Sequence, residues 1–171
     1  TWTNLKSLGN LTHIGGNADL EETKLESLGN LTTVGNNFLA YDTKKLKSLG
    51  NLTSVGDSLF MNKSKVESLG KLVSVNGDLQ AENTPLTSLE NLTYVGKALS
   101  LTRSDIVSLG NLSFVGTNLY LNLTFFPNEY TEEEIRKTGK VGKEREWGEA
   151  QKGRELGVME NLGQKAHEGR L

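Results

Sequence analysis

The side chains able to do chemistry in this chain are those of recognition and not of catalysis. There is no cysteine, hence no thiol nucleophile, disulfide or thiolate ligand, and the two histidines, His13 and His167, have no partner at metal-ligand spacing. Acidic residues are scattered, and the "GGNAD" run at 15–19 occurs once, so it does not make a calcium-binding β-roll. Gly139 and Gly142 before Lys143 lack the spacing and the hydroxyl residue of a phosphate loop. The expectation is no enzyme, no metal and no cofactor. What remains is a set of large apolar and aromatic residues interleaved with charges: Leu39, Tyr41 and Phe60, rimmed by Asp42 and Lys63, with Gln80, Arg103 and Tyr120 further along. Such mixtures are the chemistry of non-covalent interfaces.

These residues are positioned by a repeat. The aliphatic residues Leu5, Leu25, Leu46, Val66, Leu86 and Ile106 open six copies of L-x-S-L-G-N-L-T-x-V-G-x-x-L-x-L-x-x-T-x, in steps of 20, 21, 20, 20 and 20 residues. The doubled Lys44 and Lys45 account for the longer step. A fixed period of this length marks a solenoid, in which no coil can bury its own core and stacking supplies the missing burial.

Each repeat divides into two halves. In the first, apolar residues fall every third position, as in Leu46, Leu49, Leu52 and Val55, which points to tight 3₁₀-like or polyproline-like turns. In the second they alternate, as in Leu59 and Met61, which points to one short strand per coil, centred near positions 19, 39, 60, 80, 100 and 120. The inner column of a coil is then six apolar residues, for example Val34, Phe38, Ala40, Leu46, Leu49 and Leu52. Gly35, Gly56, Gly96 and Gly116, before the strands, are expected to adopt positive φ, with Asn76 as a tolerant substitute. At the neighbouring "GN" turn Glu90 replaces glycine, which suggests that positive φ is not required there. A recurring hydroxyl, at Thr23, Thr43, Ser64, Thr84, Ser104 and Thr124, is expected to bond backbone groups of the next coil.

The segments "LSLTRSDI" at 99–106 and "LQAENTPL" at 79–86 resemble the leucine-rich-repeat segment L-x-L-x-x-N-x-L, with threonine or serine in the asparagine place. The repeat length is similar to the short bacterial type, and V-G-x-x-L-x-L followed by L-x-S-L resembles the receptor L-domain. The resemblance covers roughly residues 3–124 and implies a right-handed parallel β-helix or leucine-rich-repeat-like array that recognises a ligand or protein on its strand face.

The fold class is therefore an all-β-rich solenoid spanning 1–124, whose start at Thr1 in mid-coil suggests a fragment or processed product. A capping box, Thr131 with Glu134, predicts a short capping helix within 125–137, and 138–171 reads as a glycine-rich charged tail or linker. Formal charge is −2, which leaves no basic field for nucleic acid, and no apolar run reaches membrane-spanning length. The compartment is left open, leaning to a secreted or surface-exposed bacterial or phage product. Seven glycosylation sequons fall at Asn10, Asn30, Asn51, Asn62, Asn91, Asn111 and Asn122, mostly within the repeated turn, which explains them without any sugar. Inward positions barely change between copies while the outward strand rows change in nearly every one. The expected function is recognition of a protein or glycan on the exposed strand face, through Leu39, Tyr41, Asp42, Phe60, Lys63, Gln80, Arg103 and Tyr120. The alternative is a structural spacer or fibre element stacking end to end. An ice-binding face fits less well, because the threonines form one row per coil.

Overall fold

The computed structural model describes residues 5–121. The expected capping helix and tail lie outside the described residues. Within them the chain winds as a solenoid of stacked parallel strands. Six strands, β1 (His13–Ile14), β3 (Thr33–Val34), β5 (Ser54–Val55), β7 (Ser74–Val75), β9 (Tyr94–Val95) and β11 (Phe114–Val115), form a first sheet in that order. Six more, β2 (Ala18–Asp19), β4 (Phe38–Leu39), β6 (Leu59–Phe60), β8 (Leu79–Gln80), β10 (Leu99–Ser100) and β12 (Leu119–Tyr120), form a second. A third face is marked by the parallel bridges Ser7↔Ser27, Ser48↔Ser68 and Ser88↔Ser108.

The second sheet lies where the alternating apolar residues put it. The first sheet does not: the half-repeat expected to be turns contains a strand, so each coil carries one short strand in each of two sheets. The reason is visible in the spacing. Leu31 and Val34 both point inward with two partly exposed residues, Thr32 and Thr33, between them, so a strand of two residues hides inside a three-residue apolar period. Leu28 and Leu31 flank a corner, Gly29–Asn30, closed by the Leu31 N–H donating to the Leu28 carbonyl at 3.2 Å.

The inner column is as expected: Val34, Phe38, Ala40, Leu46, Leu49 and Leu52 are buried, and so are the equivalent residues of the following coils as far as Val115, beyond which Leu119 and Leu121 are partly buried. The extra residue of the 21-residue step is absorbed outside both sheets, which keep Val34 opposite Val55 and Phe38 opposite Leu59. Lys44 at the insertion pairs with Asp42, and Lys45 reaches Glu26 at 3.1 Å.

The glycine assignments reverse. The "GN" corner is the one with positive φ: Gly9, Gly29, Gly50, Gly70 and Gly110 lie at 57–61°, and Glu90 is held at 50° in the glycine's place. The backbone demand is thus obligatory there, and Glu90 meets it under strain. A serine two residues earlier supports every such corner, as when Ser48 Oγ accepts the Gly50 N–H at 3.0 Å and Ser88 Oγ that of Glu90 at 3.0 Å. Gly35, Gly56, Gly96 and Gly116 do not have positive φ and are needed for a different reason. A Cβ on Gly56 would collide with the carbonyl oxygen of Gly35, and one on Gly96 with that of Asn76. In the fourth coil Asn76 takes the usual place and the tight approach moves to Gly77, which stands against Asp57 and Ser58.

The recurring hydroxyls also differ from expectation. Thr43, Thr84 and Ser104 are buried, and each donates to a carbonyl three residues back in its own coil, Ala40 at 3.1 Å, Ala81 at 2.8 Å and Leu101 at 2.6 Å. No buried side-chain polar atom among the described residues lacks a partner.

Leu49→Ala or Leu69→Ala should lower stability by about 2–5 kcal/mol in denaturant titrations, as truncation in a closed core does. Lys97→Ala, whose exposed pairing with Asp57 spans 3.7 Å, should change it by about 0.5 kcal/mol or less. Gly56→Ala should lose more than Gly50→Ala. The first drives a methyl into the neighbouring coil, whereas the second meets only the left-handed penalty of about 1–2 kcal/mol in open space.

Candidate functional site

On the second sheet, residues flanking each buried strand position point outward. The row at the strand reads Asp19, Leu39, Phe60, Gln80, Ser100, Tyr120, and the parallel register sets each beside the next. A second row, two residues on, contains Glu21, Tyr41, Asn62, Glu82 and Thr102. Beyond it a turn supplies Glu22, Asp42, Lys63, Asn83 and Arg103, all at positive φ of 52–59°. The chain accepts five non-glycine residues there because neighbouring coils clamp the turn. The Asp42 N–H donates to the Asn62 carbonyl at 3.1 Å, and that of Lys63 to the Glu82 carbonyl at 2.8 Å.

Three of the eight candidate residues come together. Leu39 and Phe60 are register neighbours, and the rings of Tyr41 and Phe60 stack diagonally across coils with centroids 5.7 Å apart and planes 15° apart. All three are half-buried. Asp42 and Lys63 stand at successive turns on the rim of this cluster, Asp42 engaged with Lys44. Gln80 lies beside Phe60 and accepts a hydrogen bond from Asn62 Nδ2 at 3.1 Å. Arg103 and Tyr120 sit further along the axis. Tyr120 pairs in register with Ser100, and its hydroxyl meets Asn118 Nδ2 at 2.7 Å, so both are remote from the aromatic pair.

The part of the face next to the aromatic pair is polar and internally bonded. Asn62 Oδ1 accepts the Glu82 N–H at 2.8 Å, and Glu82 Oε1 accepts from Ser100 Oγ at 2.7 Å. Burial pushes the Tyr41 phenol above its ordinary value, and the carboxylates of Glu21 and Glu82 push it further. On the third face the opposite happens to Glu26: a hydrogen bond from Lys45, then the charges of Lys6 and Lys45, hold its carboxyl below the ordinary range.

Sequence reasoning missed a second aromatic pair. Tyr94 and Phe114 stack on the outside of the first sheet, centroids 4.9 Å and planes 6° apart, with Val73 exposed in the adjoining row. The column His13, Thr33, Ser54, Ser74, Tyr94, Phe114 falls in the half-repeat whose apolar spacing points to tight turns, and only its change from small polar to aromatic residues signals a surface. His13, in β1, pairs with the Thr33 hydroxyl. The threonines of the next row are occupied within the scaffold: Thr32 Oγ1 donates to the Thr12 carbonyl at 2.8 Å and Thr53 Oγ1 to that of Thr32 at 2.9 Å. Among the described residues no three or more His, Asp or Glu side chains are grouped so as to hold a metal, and no helix is long and apolar enough to cross a membrane. Comparison with protein families, curated proteins and solved structures found no match.

The raised phenol has a measurable consequence. The difference between wild-type and Tyr41→Phe absorbance titrations at the tyrosinate band should have its midpoint above 10.0, and Glu21→Gln or Glu82→Gln should move it back toward that value. Because the folded value is raised, the stability linked to Tyr41 is complete below the unfolded phenol's value and declines as pH rises through the alkaline range. Tyr41→Phe should remove that part of the decline in denaturant titrations at high pH.

Proposed function

We propose that the chain is a non-enzymatic recognition module of leucine-rich-repeat or receptor L-domain kind, binding a protein or glycan on the outer face of the second sheet. The observation that carries this reading is the Tyr41–Phe60 stack with Leu39 beside it, standing outside a core that does not need it. The inner column repeats leucine on leucine, whereas the outward rows place a different residue on almost every coil. A pure spacer gains nothing from large apolar groups held half in water, while a partner that covers them does. Anchoring falls to Phe60 and Tyr41, with Asp42, Lys63 and Gln80 at the rim and Arg103 and Tyr120 available to a longer ligand.

Phe60→Ala or Tyr41→Ala should weaken capture of a partner by about 2 kcal/mol or more, the scale of an interface hot spot. The loss of folding stability should stay near the roughly 0.5–1.5 kcal/mol of an aromatic pair. Binding isotherms and thermal melts of the same variants separate the two effects, and full binding by both variants refutes the assignment of the face.

A further inference from the structure

The charge around the aromatic pair, taken with the recognition reading on which this inference rests, selects the chemistry of the partner. The two outer rows and the turn of the second sheet carry five carboxylates, Asp19, Glu21, Glu22, Asp42 and Glu82, against two cations, Lys63 and Arg103, with Lys44 reaching in to Asp42. Among the described residues only Asp42 of the five has an ion pair. The third face is arranged oppositely: Lys6, Lys45 and Lys47 lie there, and its carboxylates Glu26 and Glu67 are paired. Negative charge is therefore concentrated, and left largely uncompensated, on the face that also bears the aromatic stack.

Its placement around the stack is specific. Glu21 is flanked by ladder bonds, Leu20 N–H to the Leu39 carbonyl at 2.8 Å and Glu22 N–H to the Tyr41 carbonyl at 3.4 Å, which set it beside Tyr41. Glu82 stands in the same row, one coil beyond Asn62. The two carboxylates bracket the stack along the axis, three coil steps or about 14 Å apart at strand spacing. The Tyr41 phenol, raised first by burial and then by the carboxylates of Glu21 and Glu82, agrees with that placement. The π face of an aromatic ring attracts a cation, and a guanidinium can lie against it while reaching a carboxylate. The polar groups that a neutral sugar would use are instead bonded to one another, Asn62 to Gln80 and Glu82 to Ser100.

We infer that the occupant of this face is an extended, arginine- or lysine-bearing segment of a partner protein, its cation held against the Tyr41–Phe60 stack between Glu21 and Glu82 and its apolar side chains on Leu39 and Phe60. The probes are three labelled hexapeptides, alternating arginine–leucine, glutamate–leucine and serine–leucine, titrated by fluorescence anisotropy with the whole 171-residue chain. The arginine peptide should bind about tenfold or more tighter than either counterpart, and rising salt should weaken it. Glu21→Gln combined with Glu82→Gln, two nearly isosteric surface changes, should reduce that affinity by about tenfold, while Glu67→Gln, on the third face, should leave it within about twofold. Equal binding of the three peptides, no binding of the arginine peptide, or indifference to the double substitution overturns the inference. If the serine peptide or a neutral oligosaccharide binds instead and Phe60→Ala abolishes it, the recognition face survives and only the cationic partner falls. If Phe60→Ala leaves every interaction unchanged, the recognition face itself is wrong.

Discussion

The structure depends on one constraint, the hydrogen-bonded distance between coils, about 4.8 Å in any parallel ladder. Every residue lies that far from its counterpart in the next copy, so each position is judged by how well it stacks on itself or its substitute. Leucine on leucine is favourable, and the core repeats it. Where backbones approach too closely for a Cβ, glycine must recur, as at Gly35 and Gly56. Like charges at this spacing repel, and the third face alternates Lys6, Glu26, Lys47 and Glu67. Polar side chains form ladders: Asn17 Oδ1 accepts the Asn37 N–H at 3.0 Å, Asn37 Oδ1 that of Ser58 at 3.2 Å, and Ser58 Oγ that of Asp78 at 3.0 Å.

That constraint explains which parts of the fold were legible. A period-two pattern reports a strand directly, so β2, β4 and their successors followed from residues such as Leu59 and Met61. β1, β3 and the rest of the first sheet were hidden because two outward residues separate Leu31 from Val34, and a local pattern then mimics a turn. Glycine was ambiguous for a deeper reason. Its two uses, positive φ at Gly50 and close approach at Gly56, leave the same letter in the sequence, and only the neighbouring coil distinguishes them. Glu90 misleads in the same way: a substitution for glycine suggests a relaxed backbone, whereas the ladder and Ser88 hold it in the left-handed region regardless.

At the candidate site, strand alternation was enough to place Leu39 and Phe60 outward, but not to show how their neighbours engage. Tyr41 does not stack along its own row; it reaches diagonally to Phe60, while Asn62, its row neighbour, turns to Gln80. Such choices depend on side-chain length and on which donors are already occupied. The same limit hid the Tyr94–Phe114 pair, since the residues are columnar neighbours only once β9 and β11 exist.

The two left-handed corners of each coil pose the same backbone problem and are solved in opposite ways. Between the third face and the first sheet the chain uses glycine in every described coil except at Glu90, the cheapest solution. At the border of the second sheet it uses Glu22, Asp42, Lys63, Asn83 and Arg103, five residues of four chemistries and no glycine. For most non-glycine side chains this conformation costs about 1–2 kcal/mol, with asparagine and aspartate the most tolerant. Glycine would avoid that strain, and the ladder bonds that clamp the turn come from the backbone, so a glycine could make them too. The backbone geometry alone therefore does not single out Glu22, Lys63 and Arg103 at this border. These strained positions run along one edge of the second sheet, beside the rows that hold Tyr41 and Phe60, which agrees with the contact surface proposed for that face.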